Sequence, residues 1–85
     1  MRPEDLAFEV AVEWLGPADP RVGLRSGHPG RIEDPGPGDV FVEWVGLEYG
    51  MASRVSYDHD ALGVLSDVEF ARRAARVLRG ESPRP

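Results

Sequence analysis

Ser56, His59 and Asp60 fall in one short stretch and supply the side-chain types of a hydrolytic site: a nucleophile, a base and an orienting carboxylate. Nothing in their spacing is distinctive of such a site. Asp58, His59 and Asp60 are consecutive, so on a helical turn they point about 100° apart and do not converge on one ion. Structural zinc wants four nitrogen or sulfur ligands, and the chain holds two histidines and no cysteine. Of the remaining serines, Ser66 reads as a helix cap and Ser82 lies in the tail. No glycine pattern opens a helix after a strand, so a phosphate-cradling loop is not indicated either. Catalysis, metal binding and a cofactor are therefore not expected.

Two arginine sets and an aromatic set could bind. Arg21, Arg25 and Arg31, with Arg54, would stand on the outer face of an antiparallel hairpin and offer a contact surface to RNA, DNA or an acidic protein. The competing reading is solvated strand exteriors paired with Glu33 and Glu43. Arg72, Arg73, Arg76 and Arg79 form an arc near a helix C-terminus, where cations complement the helix dipole and Glu69 can pair at i+3 and i+4. Trp, Tyr and Arg dominate interface hot spots. Among Trp14, Phe41, Trp44 and Tyr49, we expect Trp44 in the core and Tyr49, in a glycine-flanked loop, exposed.

The charge balance bears on these sets. The net charge of −5 argues against a general polyanion binder, because phosphate affinity comes from neutralising charge with Lys and Arg. Residues 32–50 carry five acids and no base, whereas residues 21–31 carry three arginines and no acid. A local basic face on an acidic protein is thus possible. Eighty-five residues with 41% hydrophobic side chains make one globular domain. No apolar run reaches the ~20 residues of a membrane span. The opening MRPEDLAFEV carries acids where a signal peptide needs a basic start. A cytoplasmic location away from membranes is expected.

The elements that must position these residues come next. Residues 1–16 read two ways. As a helix they have Pro3 in the first turn, Glu4 and Asp5 at its positive end, and Gly16 and Pro17 to stop it. As a strand they alternate, Leu6, Phe8, Val10, Val12 and Trp14 against Ala7, Glu9, Ala11 and Glu13. The end signals favour the helix. Such a helix is apolar nearly all round, so it should either lie deep against the sheet or pack against another chain, the latter as homodimerisation through this segment. Short strands follow at Val22–Arg25, Arg31–Asp34, Val40–Val45, Ser53–Tyr57 and Gly63–Leu65, separated by turns at SGHPG and PGPGD. Val22, Leu24, Ile32 and the even face Val40, Val42, Trp44 should point inward. Ser66 and Glu69 form a capping box, with Leu65 and Phe70 as a hydrophobic staple, for a helix running from about Asp67 to Arg79 and ending at Gly80. Its apolar arc is Val68, Phe70, Ala71, Ala74, Ala75, Val77 and Leu78. Residues 81–85 are expected to fray.

The hairpin RVGLRSGHPGRIED, the strand DVFVEWVG and the closing SRVSYDHDAL together resemble the SH3-like small barrels of bacteria, the group that includes KOW and Tudor-like modules. The likeness covers about half the chain. It implies an α+β fold: an SH3-like antiparallel barrel over residues 21–65, flanked by the N-terminal helix and the C-terminal amphipathic helix. It further implies a small protein-interaction or regulatory module acting through the barrel face and loops, with Arg21, Arg25, Arg31, Arg54, Phe41 and Tyr49 as contact residues. The alternative is a module associated with RNA or the transcription machinery that uses the hairpin arginines.

Overall fold

The structure, a computed structural model, describes residues 7, 9–20, 23–34, 39–47, 54–56 and 61–84, with Asp39 and residues 54–56 described by their backbone. At its centre is the segment expected to be helical. Ala11–Trp14 is a strand, β1, paired antiparallel on one side with β2 (Pro29–Asp34) and on the other with β5 (Leu62–Val64). The helix signals around it are local, each worth no more than about 1 kcal/mol. Pairing along both edges, with Val12 fully buried, outweighs them. The sheet uses the alternation that competed with the helical reading.

β3 (Asp39–Trp44) and β4 (Arg54–Ser56) complete the sheet, in the order β4-β3-β2-β1-β5. β4 and β5 are its two edges and do not pair with each other. The sheet is therefore open, and the expected SH3-like closed barrel with two flanking helices is corrected to an open antiparallel sheet with, among the described residues, one C-terminal helix. Each edge strand is three residues long, which gives little ladder with which to close a barrel. Of the strand expected over Val22–Arg25, the described residues 23–25 form one bridge, with Val22 outside the described residues. Asp19 N–H donates to the Leu24 carbonyl at 2.8 Å and Leu24 N–H returns to Asp19 at 3.1 Å, around Gly23 at φ 80°. β2 pairs with β1 and β3, and not with the described residues 23–25.

One face of the sheet carries the core: Val12, Ile32, Val40, Val42, Trp44 and Leu62, joined by Leu24 from the bridged loop. The even face of β3 is inward as its pattern predicts. Gly30 stands opposite both Val12 and Trp44, and the Trp44 ring packs where a side chain at Gly30 would sit. Trp14 meets Trp44 edge-on, with ring centroids 6.0 Å apart, and its indole N–H donates to the Pro17 carbonyl at 2.9 Å.

The helix α1 (Asp67–Leu78) lies across the opposite face, over β1 and β2. Its start follows the capping box: the Ser66 hydroxyl accepts from Glu69 N–H at 3.1 Å. Its end is a Schellman motif, with Gly80 at φ 81°, Glu81 N–H donating to the Arg76 carbonyl and Gly80 N–H to that of Val77. The chain reverses there. Residues 81–84, expected to fray, pack back instead: Pro83 is fully buried and Arg76 donates to the Ser82 carbonyl at 2.8 Å. No described helix is long and apolar enough to cross a membrane.

Candidate binding surface

Cross-strand register decides which side chains meet α1. Ala11 faces Arg31, and Arg31 faces Glu43, so these side chains share the outer face with Glu13. Arg31 is drawn under the helix. Its guanidinium sits 4.2 Å from the Phe70 ring centroid, donates to the Glu9 carbonyl at 2.9 Å and approaches Asp67 at 3.8 Å. The carbonyl is aimed at Arg31 by Glu9, which holds φ 69° and sits with Val10 opposite the single residue Ile32.

Next to this contact α1 stops covering the sheet, and a cleft of about 350 Å³ opens between Phe70 and the end of β3. Arg31, Glu43, Trp44, Val45, Leu47 and Phe70 line it. It offers an aromatic wall, an apolar base and one charge of each sign, with the arginine already committed to Phe70. Phe41, half-buried, lies two residues before Glu43 on β3. The adjoining hairpin exposes Glu33, Asp34 and Glu43, which form no ion pair among the described residues. Glu33 is displaced outward by a bulge between the pairs Ile32–Val42 and Asp34–Phe41.

A second cleft, about 210 Å³, is lined by Arg25, His28, Leu47, Val77, Glu81 and Pro83 among others. His28 is 2% exposed. Its Nε2 lies 2.8 Å from the Val45 carbonyl, an acceptor only, so Nε2 carries the proton and Nδ1 the lone pair. No described residue is bonded to that Nδ1. Burial is the main force pushing the imidazole pKa down. The Val45 bond opposes it, and the Arg25 charge adds to it.

A third cleft of about 410 Å³, between α1 and the returning tail, gathers Arg72, Arg73, Arg76 and Arg79. Their charge is largely met within the chain. Arg73 bonds Glu13 at 2.8 Å, Glu69 at 3.0 Å and the Gly27 carbonyl at 3.0 Å. Arg84 also reaches Glu13, at 2.7 Å, while Arg76 and Arg79 pair with Glu81. Burial would raise the Glu13 pKa, but the bonds and charges of Arg73 and Arg84 outweigh it and hold the carboxyl below its usual range.

Of the six residues expected to bind, the three whose side chains are described take separate places. Arg31 is fixed beneath α1, Arg25 lines the His28 cleft, and Phe41 lies on the outer face of β3. Arg54 lies on β4 with its side chain outside the described residues, and Arg21 and Tyr49 are outside them altogether. So are Asp58, His59 and Asp60. Among the described residues, no three His, Asp or Glu side chains gather where they could hold a metal. The sequence marks Phe70 as a staple and Arg73 as a partner of Glu69, a pair that forms at 3.0 Å, but shows neither the Arg31 contact of Phe70 nor the Glu13 contact of Arg73. Both contacts come from the register of β1 and β2, which local sequence does not encode. Comparison with known protein families, curated proteins and solved structures finds no match.

Proposed function

We propose that the protein is a small protein-interaction module that receives a basic segment of a partner carrying a bulky apolar side chain. One observation carries this reading: α1 covers β1 and β2 but leaves the outer face of β3 open beside Phe70. The apolar side chain enters the 350 Å³ cleft against Phe70 and Leu47, and the cations meet Glu33, Asp34 and Glu43. Charge complementarity supports this choice of occupant, since residues 32–50 hold five acids and no base. A nucleic-acid role has less support, because Arg73, Arg76, Arg79 and Arg84 already have acidic partners in the chain and Arg31 is held against the Phe70 ring. A cytoplasmic setting fits the cysteine-free composition.

The test is a titration followed by amide NMR, using a peptide of arginine, lysine and leucine against its glutamate counterpart and a single-stranded DNA oligomer. Shifts at Glu43, Val45–Leu47 and Phe70 are expected with the basic peptide alone. Glu43→Lys, an exposed change, should weaken binding by about tenfold. Shifts confined to the DNA titration, or a binding constant unmoved by Glu43→Lys, would overturn the reading.

A further inference from the structure

α1 packs on the sheet with Glu69, Phe70, Arg73, Ala74, Arg76 and Val77, yet none of its residues is buried. On a wheel of about 100° per residue, the line diametrically opposite that docked face is Val68, Ala71, Ala75 and Leu78. Val68 is 65% and Leu78 71% exposed, the two most exposed large apolar side chains of the described residues. The spacing three, four, three is that of the seam positions of a two-stranded coiled coil.

The charges beside the seam specify its partner. Asp67 flanks one side, and Arg72 and Arg79 flank the other. In a parallel pair in register, a residue on the first flank faces the residue five further along on the partner's second flank, which sets Asp67 against Arg72 in both directions. An antiparallel pair would instead bring Arg72 beside Arg79. Both charges are free to swing. Their contacts within the chain, Asp67 with Arg31 at 3.8 Å and Arg72 with Glu69 at 3.9 Å, lie at the limit of pairing distance. Their side chains are 88% and 74% exposed, so those contacts hold them weakly.

We infer that the occupant of this face is a second copy of the chain, joined through α1 as a parallel, in-register helix pair. Because the seam is opposite the docked face, the two sheets lie on the far sides of the helix pair and do not collide. This contact is distinct from the cleft beside Phe70 and leaves it open.

The seam is one helix long, so dimerisation should be reversible and visible in sedimentation equilibrium of the full chain between about 10 μM and 1 mM, weak association being typical of small interfaces. Leu78→Glu should shift the monomer–dimer midpoint more than tenfold upward with an unchanged circular dichroism spectrum. Asp67→Arg should do the same, and Asp67→Arg with Arg72→Asp should restore the dimer. The absence of cysteine allows a direct geometric test. Ala71→Cys, placed against itself across a parallel seam, should form a disulfide dimer under mild oxidation far faster than Glu33→Cys on the remote hairpin. A strict monomer at 1 mM with Ala71→Cys cross-linking no faster than that control overturns the inference. So does preferential cross-linking between Ala71→Cys and Ala75→Cys chains, the signature of antiparallel pairing.

Discussion

Glu13→Gln is the sharpest single perturbation of how α1 is held. The Glu13 carboxylate accepts from Arg73 at 2.8 Å and from Arg84 at 2.7 Å, both on Oε1. Removing one partner of a fully buried ion pair costs about 3–5 kcal/mol, and an exposed pair is worth about 0.2–1 kcal/mol. The side chains of Glu13 and Arg73 are 15% and 13% exposed, which places this pair nearer the first limit. Arg73 keeps Glu69 and the Gly27 carbonyl, which reduces the loss. The expected cost is about 2 kcal/mol, or about 10 °C in Tm for a domain of this size. Urea denaturation followed by circular dichroism measures it. A double-mutant cycle with Arg73→Met should return a coupling of about 1–2 kcal/mol. Hydrogen exchange should show α1 and residues 81–84 losing protection before β1 to β3. A loss under about 0.5 kcal/mol, or coupling near zero, would refute the view that this carboxylate fastens the helix.

Two further outcomes follow from the core face. His28 has a lowered pKa in the folded state, so the unfolded chain takes up a proton near pH 6.5 before the folded one does. Stability should therefore fall as pH drops from 7.5 through that window, and His28→Gln, whose amide can still donate to Val45, should flatten the slope; an unchanged slope in unfolding free energy against pH sinks the assignment. Gly30→Ala would set a Cβ 2.6 Å from the Trp44 ring and 2.7 Å from Val42, both buried, and 3.0 Å from the Glu43 carbonyl. It should cost about 3 kcal/mol and alter the near-ultraviolet tryptophan signal, whereas a neutral result by urea denaturation would mean that the strands yield at this point.

The parts of the fold that local chemistry dictates were legible in the sequence. Ser66, Glu69 and Gly80 set both ends of α1 because caps act within one turn, and Val40, Val42 and Trp44 face the core because alternation is a property of the strand itself. Ala11–Trp14 carries helix signals that are equally local, while its strand partners are distant: Arg31 lies 20 residues from Ala11 and Val64 lies 52 from Val12. The binding residues suffered in the same way. Arg31 looks like an outward cation until α1 is laid over β2, and His28 looks like a turn residue until Val45 and Trp44 close on it. Distant pairing sets these environments, and one chain's residue pattern does not reveal it.

The chain has two tryptophans, and both belong to the core side of the sheet, edge to edge with each other and with the His28 ring against Trp44. The sole described helix, by contrast, lies behind the sheet and contains neither. Intrinsic fluorescence therefore reports the β-sheet, while ellipticity at the helical band reports α1, with no label attached. If the helix is held chiefly by its ionic fastening to Glu13, the two signals should part as salt is raised at neutral pH, ellipticity fading while emission stays unchanged. The molecule thus carries a built-in pair of optical probes for whether its two layers melt together or one at a time.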